Sequence, residues 1–358
     1  MIRTLLARAG LVATAACAAT LLTAAPAAAH GADAPDGSDY RTRTTGVTPA
    51  RPGLEVRVVE AGARLELTNR SGRPIEVIGY SGEPYLRIGP DGIFENTRSP
   101  ATYLNRTIAG DTTLPAEADP AAAPSWQRIS GGTTALWHDQ RALWRESAPP
   151  DAVRAAPDRE HRVRDWTIPL RDGAEPAQIR GTLDWLPPPD AYTWWAVTIV
   201  GLLAVGALGL LAAAAPAGAR ALSALGVLLV AGGVVAVLYP VGRELDAGAQ
   251  GVGGVLAGLL SGQVWSLLTG LGAIAAGCYA LARRPAADFA VALAGACLAL
   301  FAGVANAAVF ARSVAPVPWP AEVARVMVAL VLITGAGATA AGILRLHAAS
   351  RTATPAQT

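Results

Sequence analysis

The chain has 358 residues, 52% of them hydrophobic, and a formal net charge of +2. All 29 basic residues are arginine. Residues 30–190 hold 19 arginines against 23 acidic residues, a net charge of −4 for this part. A mildly acidic segment lacks the basic footprint of a nucleic-acid-binding protein, so we expect no nucleic-acid partner. The length allows a soluble domain of medium size together with a helical membrane block.

Residues 1–29 have the three parts of a secretory signal peptide. Two arginines precede an apolar stretch, and three alanines at its end form a small-residue cleavage site. Cleavage after Ala29 would leave His30 as the mature amino terminus. Residues 30–52 are small and polar with almost no bulky apolar side chain, which predicts a flexible leader.

Residues 53–187 show the pattern of a β domain. Apolar and polar residues alternate at 54–58 and 64–68, as in half-buried strands, and Pro90-Asp91-Gly92 supplies turn chemistry between two further strands. Several short strands without a convincing amphipathic helix predict an all-β exported domain, an antiparallel Ig-like sandwich. This segment has no cysteine, so we expect no disulfide in it.

Residues 188–348 form a predicted transmembrane helical domain of about five helices, and residues 349–358 form a tail. Each apolar segment is long enough to cross a hydrocarbon core about 30 Å thick. Residues 251–263 are either a re-entrant piece or an extension of the third helix. The spans are placed at 193–215, 221–239, 264–282, 289–311 and 323–344.

The arginines suggest an orientation in the membrane. Arg220, Arg283 and Arg284 lie in loops on one side, and Arg351 lies in the tail on the same side, as expected of cytoplasmic segments. The sequence therefore predicts a multi-pass protein of the cell membrane, in contact with the lipid bilayer. Its β domain would be extracytoplasmic and its carboxy terminus cytoplasmic.

The segment from Trp137 to Trp144 has the most chemical content. His138 stands beside Asp139, and a carboxylate can fix the tautomer of a histidine that binds a metal. A metal site needs three or four ligands, and a mature amino-terminal His30 could add an amine and an imidazole suited to copper. We therefore name His30, His138 and Asp139 as candidate copper ligands. The alternative is a core of tryptophans with a satisfied polar cluster beside it.

Aromatic residues in two segments suggest a surface that engages an extracytoplasmic protein partner or a ligand. The signatures of common catalytic sites, such as Gly-x-Ser-x-Gly and His-Glu-x-x-His, are absent from the sequence. We therefore expect a binding or scaffold module rather than an enzyme. The candidate contact residues are Tyr80, Glu83, Tyr85, Trp137 and Trp144.

Three motifs carry a resemblance. The runs Gly79–Arg87 and Ser99–Asn105, with Trp137-His138-Asp139, resemble a group of uncharacterised actinobacterial membrane proteins. These proteins share a signal peptide, a β-rich exported domain and a carboxy-terminal helical block. The resemblance implies the same architecture for most of the mature chain, and it implies no activity.

The tryptophan-histidine segment of that group is richer in histidine than the one in this chain. Gln140 and Ala142 or Leu143 stand where further histidines would be expected, which weakens a metal site here. The layout of signal, mature amino-terminal histidine, small β domain and helical block also resembles copper-handling proteins of the CopC and CopD type. That resemblance implies extracytoplasmic copper binding or trafficking as an alternative function.

Overall fold

The computed structural model describes residues 35–212 and 215–352. The predicted signal peptide, His30 and the end of the tail lie outside the described residues. The order of elements is a series of β-strands with two short helices, followed by a block of long helices. This order confirms the predicted architecture of an antiparallel β domain and a helical membrane block.

The β domain is built from two antiparallel sheets. Its described elements in chain order are β1 (Tyr40–Thr48), β2 (Leu54–Val59), β3 (Arg64–Asn69), β4 (Ile75–Ile78), β5 (Pro84–Gly89), β6 (Gly92–Asn96), α1 (Pro100–Leu104), β7 (Trp126–Ser130), β8 (Thr134–Trp137), α2 (Asp151–Ala155), β9 (His161–Asp172) and β10 (Glu175–Trp185). One sheet has seven strands in the order β1-β10-β9-β4-β5-β6-β7. The other has three in the order β2-β3-β8.

Side chains from both sheets form one hydrophobic core. Leu65 and Leu67 of β3 belong to the same buried cluster as Ile168 of β9 and Ile179 of β10, and each is at most 1% exposed. Burying a side chain of this size stabilises the fold by about 1.5–3 kcal/mol. The alternation predicted from the sequence therefore marks the inward face of the strands.

Residues 40–48 form a strand, which corrects the prediction of a flexible leader over residues 30–52. β1 pairs with β10 along its length, with Tyr40 opposite Trp185 and Thr48 opposite Gln178. An edge strand needs little apolar surface of its own, because a long neighbour satisfies its backbone hydrogen bonds. Composition alone does not reveal such a neighbour, which is 130 to 145 residues away.

Five described helices are long and apolar enough to cross a membrane, which agrees with a multi-pass membrane protein. They coincide with the predicted spans, although the second reaches from Pro216 to Asp246. The helices of the block are α3 (Ala191–Ala207), α4 (Pro216–Asp246), α5 (Gly251–Gly262), α6 (Val264–Leu281), α7 (Ala287–Leu298) and α8 (Ala321–Thr352). After Leu298, α7 continues through a π turn and a 3-10 segment to Ala311.

Helix α5 answers the question left open for residues 251–263. It is a separate helix of 12 residues, and Gln263 has a φ of −123° between it and α6. Twelve residues are too few to cross the hydrocarbon core. These residues are therefore not an extension of the third span.

Glycines allow α4 and α6 to cross closely. A Cβ atom on Gly226 would lie 2.9 Å from the carbonyl oxygen of Gly277, and one on Gly233 would lie 2.6 Å from that of Gly270. Both distances are too short for a real side chain. The small residues of these spans therefore serve helix packing, as is typical of interfaces within lipid.

Polar side chains form hydrogen bonds in the π turn and the 3-10 segment that follow α7. The Ser266 hydroxyl donates to the carbonyl of Phe301, 3.1 Å away, within the π turn. The buried Asn306 amide donates to the carbonyl of Ala302 at 2.9 Å, and its oxygen accepts from Arg243 at 3.2 Å. Irregular backbone at membrane depth needs protein partners of this kind.

The β domain is bonded to the helical block close to its own first strand. The Asp39 carboxylate accepts from the Arg312 guanidinium at 2.7 Å and from the backbone and hydroxyl of Ser313 at 3.0 and 3.2 Å. Ser38 and Val314 exchange two backbone hydrogen bonds. Pro187 and its two neighbouring prolines connect β10 to the block on the same side, so two points of the β domain are tied down there.

We expect Asp39→Ala to loosen this junction. The change removes three hydrogen bonds to a buried carboxylate, so it should lower the free energy of unfolding by about 2 kcal/mol. Hydrogen–deuterium exchange of the Ser313 and Val314 amides should become faster. Asp165→Ala is the control, because it removes only the pair of Asp165 with Arg162, whose side chains are 77% and 55% exposed. Equal exchange at Ser313 and Val314 in both variants would contradict this account of the junction.

Candidate functional site

The segment that follows β8 turns into the interior of the β domain. β8 pairs with β3, with Trp137 opposite Leu65. Trp137, His138 and Asp139 are all at most 3% exposed. The tryptophan belongs to the hydrophobic core, and its indole nitrogen donates to the Asp139 carboxylate at 3.1 Å.

Asp139 is held in a buried ion pair. Arg141 donates to its two carboxylate oxygens from Nε and from a terminal nitrogen, each at 2.8 Å, and the Arg141 backbone amide donates at 3.1 Å. The guanidinium also donates to the carbonyl of Ile78 at 3.1 Å. Both oxygens of Asp139 are thus already bonded to cationic or N–H donors, which is the arrangement of a structural carboxylate.

His138 is bonded to the turn that precedes β3. Its Nδ1 lies 2.8 Å from the carbonyl oxygen of Ala63, and a carbonyl only accepts, so Nδ1 carries the proton. Among the described residues no group of three or more His, Cys, Asp or Glu side chains could hold a metal ion. His30 lies outside the described residues. Copper binding through His30, His138 and Asp139 therefore stays a prediction.

Tyr80 joins this cluster from the loop after β4. Its hydroxyl accepts from the backbone of Gln140 at 3.0 Å and donates to the side-chain oxygen of Asn105. The Arg141 guanidinium lies 4.9 Å from the centre of its ring. Burial raises the pKa of both Tyr80 and Tyr85 above the ordinary value of a phenol, so both stay neutral.

Glu83 is also an interior residue, only 4% exposed. It accepts from the backbone of Ser81 at 2.8 Å and from the hydroxyl of Ser99, which caps α1. A Cβ atom at position 79 would overlap the Glu83 carboxylate, so a larger residue there would displace that carboxylate from Ser81 and Ser99. The Gly79–Glu83 part of the recognised motif is therefore explained by the packing of a buried carboxylate.

Burial changes the assignment of the expected contact surface. Glu83, Tyr85 and Trp137 lie in the interior and stabilise the fold, so they offer a partner almost no exposed area. Tyr80 and Trp144 keep partial exposure. Of the five candidates, Trp144 lines a cavity formed by residues that the structure describes.

This cavity has a volume of about 150 Å³ and lies against β1. The Tyr40 ring stacks on Trp144 with 5.9 Å between ring centres, and it meets the edge of Trp185 at 5.2 Å. The side chains of Thr42 and Leu183 add to the lining, and none of the described lining residues is charged. We call this cavity the Tyr40–Trp144 pocket. Its walls suit an uncharged aromatic or aliphatic group.

One wall of the pocket is a turn in a strained conformation. Glu60, Ala61 and Gly62 all have positive φ angles, of 54°, 53° and 100°. This region costs free energy for residues with a Cβ atom, and such strain is often found at ligand clamps. The Ala61 amide donates to the Asp246 carboxylate of α4 at 2.8 Å, which anchors the turn to the helical block.

Glu60 is the titratable group of this turn. Burial raises the pKa of its carboxyl, while the Arg64 guanidinium, 3.0 Å away, opposes the shift.

Sequence reasoning missed the turn because glutamate and alanine seldom adopt positive φ. It missed the pocket because Tyr40 lay in the predicted leader. The available signal was the enrichment in β-branched residues between Thr42 and Thr48, which is typical of strands.

The chain was compared with protein-family models, with curated proteins and with solved structures, and none of the three comparisons found a match. The site is therefore interpreted from its own geometry.

Asp139→Asn should destabilise the β domain. The change leaves the Arg141 guanidinium beside a neutral amide, and breaking a buried ion pair costs about 3 kcal/mol. Chemical unfolding followed by tryptophan fluorescence measures the loss. The matched control is Asp151→Asn, because Asp151 is 93% exposed in its pair with Arg154, and such a pair contributes at most about 1 kcal/mol. Equal losses in the two variants would contradict a structural role for Asp139.

Proposed function

We propose that this protein is a membrane-anchored binding module whose extracytoplasmic β domain captures a protein partner through the Tyr40–Trp144 pocket. The observation that carries this proposal is the pocket itself, an uncharged cavity between two stacked aromatic rings and a strained turn. The turn that forms one wall of the pocket is bonded to the end of α4, through Ala61 and Asp246. The pocket therefore lies beside the helical block.

The size of the pocket favours a single side chain over a large metabolite. A cavity of about 150 Å³ is known to accept a molecule the size of benzene. A leucine or phenylalanine side chain of a partner has a comparable size, and such buried anchors dominate the binding energy of many interfaces. The partner would therefore present an exposed apolar side chain, with polar contacts around it.

The junction with the helices supports a scaffold role. Asp39 and Ser38 bond to residues 312–314 of the helical block, and Ala61 bonds to Asp246 at a second point. A partner captured by the pocket would thus be held in a defined position relative to the membrane. Flexible tethering would not provide that positioning.

The orientation is part of this proposal. Exposed Arg283 and Arg284 lie in the turn between α6 and α7, and Arg351 lies near the end of α8. Segments rich in arginine stay preferentially on the cytoplasmic side, which supports an extracytoplasmic β domain at the opposite end of the helices.

Peptide selection tests the pocket. A random peptide library displayed on phage is selected on the full-length protein in nanodiscs. We expect the enriched peptides to share an aromatic or aliphatic anchor and to lose affinity by about 30-fold, or 2 kcal/mol, on Trp144→Ala. Trp144→Phe should keep most of the affinity, since the ring stack with Tyr40 is retained.

Ile129→Ala is the matched control for that selection. Ile129 is 51% exposed on β7 and does not line the pocket, so its loss should leave the affinity unchanged. Thermal unfolding of each variant checks that the β domain remains folded. Peptides that bind Trp144→Ala and the wild type equally would contradict the proposal.

Cysteine labelling tests the orientation. The three native cysteines are replaced by alanine, and one new cysteine is introduced as Ile129→Cys or as Arg351→Cys. In intact cells a membrane-impermeant maleimide should label the first variant only, because the arginine-rich side faces the cytoplasm. The second should be labelled after lysis. The reverse pattern would place the β domain in the cytoplasm.

A further inference from the structure

A second cavity lies on the outer surface of the helical block, between α6 and α7. It is an apolar groove of about 400 Å³. Trp265 and Phe301 stack at one end with 5.9 Å between ring centres. The walls between this stack and the other end include Leu268, Gly272, Leu293 and Cys297. We call this cavity the α6–α7 groove.

The groove has the length of one lipid leaflet. Its wall on α7 runs from Ala290 to Phe301, twelve residues separated by eleven steps of 1.5 Å each, or about 16 Å. Half of a hydrocarbon core of about 30 Å is about 15 Å. The groove is therefore long enough for one acyl chain that enters from the nearer membrane surface.

Two exposed arginines lie beyond the end of the groove that is opposite the aromatic stack. Arg283 and Arg284 are in the turn that joins α6 to α7, and the described residues provide neither with an ion pair. Asp288, the acidic residue next along the chain, is already bonded to Arg345 at 2.5 Å. The turn thus presents two positive charges at the level of the lipid headgroups.

An apolar path connects these charges to the groove. Tyr279 is one turn beyond the groove residue Ala276 on α6, and Phe289 lies beside Ala290 on α7. They are 41% and 57% exposed. The Tyr279 hydroxyl donates to the carbonyl of Pro285 at 2.8 Å, which holds this ring against the arginine turn.

We propose that the α6–α7 groove binds an anionic phospholipid, with the phosphate at Arg283 and Arg284 and one acyl chain along the groove. Charge complementarity selects the headgroup, because basic residues at the ends of membrane helices attract anionic lipids. The apolar lining and its length select the chain. This binding site depends neither on the Tyr40–Trp144 pocket nor on the side of the membrane that the β domain occupies.

A second copy of this chain fits the groove less well. A two-fold symmetric contact would use the same surface on both copies. The arginine turns of the two copies would then lie at the same membrane surface with no acidic partner among the described residues. Like charges at close range repel, whereas an anionic headgroup neutralises them.

Native mass spectrometry of the full-length protein tests this site. The protein is delipidated in detergent and then incubated with phosphatidylglycerol or phosphatidylcholine. We expect one phosphatidylglycerol per chain and a preference of about 25-fold over phosphatidylcholine, since each of the two arginines contributes about fivefold. The double variant Arg283→Gln and Arg284→Gln should lose this preference. Arg351→Gln, which removes an exposed arginine elsewhere at the same membrane surface, should keep it.

A second pair of variants tests the groove. A Cβ atom on Gly272 meets no atom within 4 Å, so Gly272→Leu fills the groove without disturbing the helices and should reduce the retention of both lipids at least tenfold. Gly253 of α5 is equally open, so Gly253→Leu is the matched control and should leave retention unchanged.

Three outcomes would overturn the proposal. The first is equal retention of the two lipids by the wild type, or no retention of either. The second is unchanged retention by the groove and arginine variants. The third is a dimer of the wild type that Gly272→Leu dissociates, because a second copy would then fill the groove.

Discussion

The pairing of β1 with β10 positions most of what is distinctive in this protein. β10 leads through three prolines into the first membrane helix, so its partner strand begins close to the helical block. Asp39 precedes β1 and bonds to Arg312, and Tyr40 opens β1 and lines the pocket. One ladder of backbone hydrogen bonds thus sets both the junction with the membrane part and one wall of the proposed binding site.

The buried polar groups of the β domain divide into two kinds. Asp139 and Glu83 are surrounded by hydrogen-bond donors and hold loops in place. Their carboxylate oxygens are already bonded within the fold. The turn at Glu60 and Ala61 differs, because its backbone is strained and its amide bonds to another part of the chain. Strain that the surrounding structure must support is more typical of binding sites than of simple connections.

The helical block offers a contrast between its inner and outer surfaces. Inside, glycines and a few satisfied polar groups bring α4, α6 and α7 close together. On the outer surface, α6 and α7 leave a groove between them, which runs along α6 from Trp265 to Ala276. In lipid, close packing rather than the hydrophobic effect holds helices together, so such a gap is filled by a lipid chain or a partner. The two proposed sites therefore follow from different physical demands in the two halves of the protein.

The sequence by itself determined the membrane helices and the strand pattern of the β domain. Both follow from local rules, since about 20 apolar residues must be helical in lipid and alternation places one face of a strand in a core. Tertiary structure decided that Tyr40 begins a strand, that Glu83 and Trp137 are buried, and that Tyr40 meets Trp144. The contacts of Tyr40 with Trp144 and Trp185 join residues 104 and 145 positions apart, and no local pattern records which distant strand or loop provides the partner.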